Sequence, residues 1–408
     1  MTEINPDAER LIAFLAGRDV ATETLAEVDW KRLVALAQKH AVVPVLYVRL
    51  KERGITLPLT IAEQLSRIYL ASAMRNTRLF HELGKILRAL QAANLPVILL
   101  KGACLAEAVY GNIALRPMGD VDLLVKPNDL ALALDVLRTL GYVSEHSFDP
   151  IAEQALSHHV PPISKPGGLT VEMHWTIVNP RYHAHFNRDD LEQLWSRAKP
   201  ATISGVSVLM FSPTDLLLHL CLHVSAQHRF DATGLRNYLD MAEVCRRYGD
   251  TIDWQQFTAR ANQWNIANGV RLALQLAKEW TGAAIPASVL AALDAAPLDD
   301  STTDWVRHKI LNGSSLALKS DVARFEGKAH LADKLGALRD ALFPSRLVMA
   351  RMYPAPADSW RILCYYPVRF KDLWMRYSRA MWQVLWRDKT FTADARQEAR
   401  LREYLGWH

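Results

Sequence analysis

The chain has 408 residues, half of them apolar and 22% charged, with a formal net charge of +5. That length holds two or three domains and a sizeable core. The composition excludes large-scale disorder and a histone-like polycation.

The first residues, "MTEINPDAERLIAFLAGR", carry no apolar leader region, and no run reaches the ~18–20 apolar residues of a membrane span. Cys104, Cys221, Cys245 and Cys364 are too few for a disulfide framework, and none sits at metal-knuckle spacing. A reduced, cytoplasmic compartment is expected.

Residues 1–94 read as an N-terminal helical region. "AERLIAFLAG", "DWKRLVALAQKHAVVPVLYVRLKE" and "TIAEQLSRIYLASAMRNTRLFHELGKILRALQAANL" repeat apolar residues at helical spacing, with Gly54 and Pro58 as punctuation. Arg75 and His81 match the loose spacing of a ribonuclease motif. Six residues place them about 240° apart on a helix, so a core helix with surface charges is the better reading.

The texture changes over residues 95–212. "PVILL" has strand length, "GACLAEAVYG" is a short helix closed by Gly111, and "DVDLLV" is a second strand. Pro127 opens the helix "LALALDVLRTLGY", which Gly141 ends. "HHVPPISK" and "LTVEMHWTI" flank a "PGG" turn as a hairpin, and "SVLMF" is a further strand. Helices return over 213–298 ("PTDLLLHLCLHVSAQH", "GLRNYLDMAEVCRRYG") and over 299–408. Linkers are expected at 299–301 and 353–359. The fold class expected is α+β, a small mixed β-sheet core flanked by N-terminal and C-terminal all-helical regions.

Side chains alternate along a strand. Asp120 and Asp122 therefore share one face, with Val121, Leu123 and Val125 on the other. Two adjacent carboxylates repel, and a divalent cation such as Mg²⁺ resolves the conflict through oxygen ligands. A second ion needs another carboxylate, and Glu172 shares the polar face of its strand with Thr170 and His174. Gly102 opens a helix, where a phosphate can approach free N–H groups. Lys101 and Arg116 can neutralise a triphosphate. Taken singly, each feature is as well read as a turn, a cap or a surface charge.

Together, "LLKGACLAEAVYGNIALRPMGDVDLLV" and "VEMHW" resemble the bacterial family of uncharacterised nucleotidyltransferases, within the DNA polymerase β-like superfamily. "LAQKHAVVPVLYVRL", Arg75-Asn76 and "LLLHLCLHVSAQHRF…LRNYLDMAEV" extend the resemblance over roughly residues 30–245, and "LFPSRLVMARMY" does so more weakly. The resemblance implies a nucleotidyltransferase core and two-metal transfer of an NMP from an NTP to a hydroxyl-bearing acceptor, with release of pyrophosphate. It implies that Asp120 and Asp122 ligate both Mg²⁺ ions and that Glu172 ligates the catalytic one and serves as base. Lys101, Gly102, Arg116 and His174 would contact nucleotide. Two departures stand out: Ala103 follows Gly102 where the superfamily usually has Ser, and the third carboxylate is Glu rather than Asp. The alternative is a catalytically silent nucleotide-binding or antitoxin-like protein.

His219 and His223 fall four apart on one helix face, with His228 and Asp240 following. A zinc set is one reading; contacts to nucleotide or acceptor are the preferred one. Between residues 342 and 408, 12 Lys/Arg stand against 6 Asp/Glu. There, within 368–387, Phe370, Leu373, Trp374, Tyr377, Met381, Val384 and Leu385 form a stripe beside Arg369, Lys371, Arg376, Arg379 and Arg387. Such a helix packs in a core or on a partner protein, or lies on a membrane surface; the first two are preferred. No RNA-module motif accompanies it, so nucleic acid is not favoured.

Overall fold

The structure, a computed structural model, describes residues 5–18, 25, 27–145, 148–154, 156–179, 185–231, 234–312, 339, 342–385 and 389–406, with backbone alone at 351, 376–385 and 389–392. Helices Pro6–Ala16, Trp30–Lys39, Val43–Glu52 and Leu59–Ala92 form the N-terminal part. Asn5 and Asp29 cap the first two by accepting from the backbone N–H of Asp7 and Arg32. The Leu59–Ala92 helix has 34 residues and spans about 51 Å. Its buried stripe includes Leu79, Leu83, Ile86 and Leu90. Arg75 and His81 are both exposed and share no face.

Among the described residues seven short strands make one mixed sheet: β1 (Ile98–Leu99), β2 (Asp120–Leu124), β3 (Val143–Ser144), β4 (Ile163–Ser164), β5 (Thr170–His174), β6 (Lys199–Ile203) and β7 (Val206–Met210). Their order is β3-β4-β5-β2-β1-β7-β6. The expected hairpin forms, with Ile163 opposite Val171, a bridge between His159 and His174, and a turn through Gly167 at φ 70°. The strand read in "SVLMF" is β7. Its partner β6 has no sequence signal, because Pro200 and exposed residues mark it as loop. As an edge strand it tolerates a proline.

The pairing that sets the site is β2 with β5. They run parallel, with Asp120 opposite Thr170, Asp122 opposite Glu172 and Leu124 opposite His174. Val121, Leu123, Val171 and Met173 fill the opposite face and are fully buried. One hydrophobic core joins the sheet to the N-terminal helices, to helices Pro213–Leu222, Leu235–Tyr248 and Ala267–Thr281, and to Leu401 and Tyr404.

Two expected linkers are structured. Asp299 accepts from the backbone N–H of Thr302 and from the hydroxyls of Ser301 and Thr302, so residues 299–301 begin helix Asp300–Asn312. Ala355 packs with Met349 and Ile362, against Tyr353 and Tyr365, in a small second core. The stripe on helix Tyr365–Leu385 does not pack into the chain's own core at Phe370 and Trp374, which are 58% and 59% exposed. Tyr377, Met381, Val384 and Leu385, with Arg376, Arg379 and Arg387, lie outside the described side chains. Among the described residues no helix is long and apolar enough to cross a membrane.

Candidate active site

The chain leaves β1 through Lys101, whose φ of +31° is unusual for a residue with a side chain. That backbone costs about 1–3 kcal/mol. It turns a lysine that is only 8% exposed onto the sheet face. Lys101 Nζ lies 3.2 Å from Asp122 Oδ1 and 3.4 Å from His223 Nδ1. Gly102 follows, and a methyl there would make ordinary contacts with Arg116 Nη1 and Met118 Sδ, both at 3.4 Å.

Asp122 is 5% exposed and ligand atoms of Asp122, Glu172 and His174 all lie within 4.8 Å of one another. His174 Nε2 is 3.2 Å from Asp122 Oδ1 and 3.7 Å from Glu172 Oε2. Burial works against the charge on Asp122, but Lys101 and His174 outweigh it and hold the carboxyl well below its ordinary range. The hydrogen bond from His174 likewise lowers Glu172, against burial and the charge of Asp122. Asp120 is exposed at the strand head; burial of its carboxylate and the charges of Asp122 and Glu172 raise its pKa. Asp122 and Glu172 are thus held ionised by Lys101 and His174, and the unrelieved repulsion falls on Asp120.

Histidines wall the cluster. The rings of His158 and His159 lie 5.4 and 5.1 Å from that of His174. Burial lowers the pKa of His158 to about 2 and lowers that of His159. His223 begins a π-helix, His223–Gln227, at the end of helix Pro213–Leu222. The wider turn brings residues five apart together, and the His223 and His228 rings meet edge to face at 4.3 Å. Gln227 donates to the Ile177 carbonyl at 2.8 Å, which leaves its oxygen for the Nδ1–H of His223, also at 2.8 Å. Burial pushes His223 well below its ordinary pKa and lowers His228.

Other expected site residues are placed differently. Arg116 and Asp240 form a buried bidentate ion pair, and Tyr110 donates to the same carboxylate at 2.9 Å. Asn76, buried on the long helix, donates to the carbonyls of Ile113 and Arg116 and fixes that loop. His219 packs its ring against Phe211 at 5.5 Å and, among the described residues, has no hydrogen bond at either nitrogen. Burial lowers its pKa to about 3. Among the described residues the metal-competent group is Asp122, Glu172 and His174, without His219 or His223. The zinc reading therefore falls: on helix Pro213–Leu222 His219 turns into the core, while His223 turns to Gln227.

Three residues escaped the sequence reading. His158 and His159 stood out only as the start of a hairpin strand. Arg236, inside "LRNYLDMAEV", carried no signal beyond its charge.

A strand–lysine–glycine–helix turn thus stands beside D-x-D and a parallel carboxylate strand. The chain belongs to the uncharacterised nucleotidyltransferase family, whose pattern matches residues 26–282. Comparison with curated proteins gives no match. The antibiotic-resistance factor ANT(2'')-Ia is similar at 14% identity and a TM-score of 0.30, over 42% of this chain and 84% of that one. An antigenic nucleotidyltransferase-like protein from Paracoccidioides brasiliensis is similar at 18% identity and a TM-score of 0.35, over 53% of this chain and 94% of that one. Both likenesses are too slight to bear on function.

Proposed function

We propose that the protein transfers an NMP from an NTP to a hydroxyl-bearing acceptor and releases pyrophosphate. The observation that carries this is the register of β2 and β5, which sets Asp122 beside Glu172 with Lys101 Nζ 3.2 Å from Asp122. The residues fit a divalent cation: ligand atoms of Asp122, Glu172 and His174 converge, and Asp120, raised by burial and by the charges of Asp122 and Glu172, stands at the head of the same strand. Asp120, Asp122 and Glu172 would hold it, with Mg²⁺ the ordinary choice for oxygen ligands; a second ion would share Asp120 and Asp122. Such an ion neutralises the carboxylates and polarises the phosphate oxygens.

The chain's own groups do the rest. Lys101 offers its ammonium to the phosphates while keeping Asp122 ionised. The acceptor oxygen forms its bond to the α-phosphorus as the bond to the bridging oxygen breaks, and pyrophosphate leaves with that electron pair. The hydroxyl proton passes to Glu172, whose side chain is 25% exposed and is kept ionised by His174. Arg116, engaged by Asp240, positions the loop under Gly102 rather than binding nucleotide. His223 and His228 line the side left for nucleotide or acceptor.

A silent nucleotide-binding role is the second reading. It is favoured by Ala103, which is fully buried and supplies no hydroxyl at the turn. Pyrophosphate release from NTP, with Mg²⁺ and fractionated cell extract, separates the two. Turnover that Asp122→Asn abolishes supports transfer; tight NTP binding without pyrophosphate supports silence.

A further inference from the structure

The loop that leads into Asp120 is held by a guanidinium that the proposed reaction leaves without a task. Arg236 is the second residue of helix Leu235–Tyr248. Its Nη1 donates to the carbonyl of Pro117 at 2.8 Å, three residues before Asp120. Its Nε is buried with no hydrogen-bond partner among the described residues. Among the described residues no carboxylate forms an ion pair with it; Asp240 is taken by Arg116 on both oxygens, and Asp120 acts on it through charge alone. Burial and the charge of Arg116 lower the pKa of Arg236, against the negative charges of Asp240 and Asp120.

A half-buried guanidinium whose Nε lacks a hydrogen-bond partner among the described residues is better satisfied when an anion arrives. The position suits one. Pro117 adjoins Arg116, whose Nη1 lies 3.4 Å from where a methyl on Gly102 would stand. The charge therefore sits beside the loop that packs on the glycine turn, close enough to Asp120 to act on its carboxylate. There the chain has Ala103, with no hydroxyl for a phosphate.

The start of the helix is fixed as a ligand-holding arm needs to be. Gly234 packs on the backbone of His40, where an added methyl would come within 3.1 Å of the carbonyl oxygen. The Leu235 N–H points at His40 Nδ1 at 3.4 Å. Arg236 is thus placed by backbone contacts and keeps most of its donors free.

We propose that Arg236 binds the triphosphate of the incoming NTP, replacing the missing hydroxyl contact at the Gly102–Ala103 turn. The proposal rests on the nucleotidyl-transfer reading. It makes the helical part a contributor of nucleotide affinity, so Arg236 and Lys101 grip the phosphates from two sides. A guanidinium suits this task better than an ammonium because it offers paired donors.

The test is calorimetric titration of the full-length protein with ATP, GTP, CTP and UTP in Mg²⁺, and with the matching nucleosides. The wild type is expected to bind its preferred NTP more tightly than the nucleoside. Arg236→Met is expected to lose tenfold or more in NTP affinity and nothing in nucleoside affinity, and Arg236→Lys to regain part of the loss. A clamp that serves only to hold Pro117 would lower both affinities together, and that result, or an unchanged NTP affinity in both variants, overturns the proposal. If Arg236→Met fails to fold, Arg236→Lys decides by the same comparison. Asp122→Asn separates the two levels: loss of turnover there with intact NTP binding in Arg236→Met leaves nucleotidyl transfer standing and removes only the role of Arg236.

Discussion

Arg116 and Asp240 stand 124 residues apart and meet in a buried pair, with Nε and Nη2 of the arginine 2.9–3.1 Å from the carboxylate oxygens. The pair pins the loop before β2 to helix Leu235–Tyr248, so the carboxylate strand and the arm that bears Arg236 keep one spacing. Asp240→Asn leaves the arginine buried without its charge partner and is expected to cost about 3–5 kcal/mol. Replacing both residues, Arg116→Met with Asp240→Leu, should recover most of that loss. Urea unfolding of the three variants checks this; a double variant no better than the single one would show that geometry rather than charge is at stake.

Lys101 carries strain and charge together, and two variants separate them. Lys101→Ala removes the ammonium and keeps a Cβ at positive φ, whereas Lys101→Gly removes both. The glycine variant should be the more stable by about 1 kcal/mol, with NTP turnover equally low in the two. A more stable alanine variant would show that helix propensity at this position outweighs the backbone strain.

His40 joins three helices as a neutral ring. Its Nδ1 faces the Leu235 N–H, so Nε2–H donates to the Leu311 carbonyl at 3.1 Å. Burial lowers its pKa from 6.5 to about 4. Between those values the unfolded chain binds a proton that the native chain does not, so stability falls as pH falls. One such group contributes about 1.4 kcal/mol per pH unit, about 3 kcal/mol over the window. His158 and His219 act in the same direction. His40→Gln should flatten the pH dependence of unfolding between pH 6.5 and 4 by that share, whatever it does to stability at pH 8.

Gly269 backs the π-helix that turns His223 toward His228. A methyl there would stand 2.7 Å from Ser225 Cβ, and neither backbone can yield cheaply. Gly269→Ala should cost about 1–3 kcal/mol and slow NTP turnover, and adding Ser225→Gly should restore part of both. Full activity in the single variant would mean that the His223–His228 pair is not held by this contact.

Much of the site was legible because the carboxylates lie on short strands with strict alternation. "DVDLLV" and "VEMHW" each declare which residues share a face. What the pattern cannot supply is register across some fifty residues, and that register places Glu172 beside Asp122 rather than Asp120. In the sequence Arg116 and Asp240 both read as ligand contacts, yet each satisfies the other, since a long-range ion pair leaves no trace in spacing. His219 and His223 do stand one regular turn apart, with the His223 N–H bonded to the His219 carbonyl; the π geometry that follows carries His223 to Gln227 and His228, while His219 meets Phe211. Pro200 hid β6, and Arg236 was one arginine among many until Pro117 and Arg116 surrounded it.

Transfer of the NMP moiety is tested most directly by following label from the α-phosphate and, separately, from the γ-phosphate of an NTP into acceptor molecules of fractionated extract. The α-label is expected in the acceptor and the γ-label in pyrophosphate, with Asp122→Asn slowed at least about a hundredfold. Appearance of the γ-label in the acceptor, or equal rates in wild type and Asp122→Asn, would contradict nucleotidyl transfer at this site.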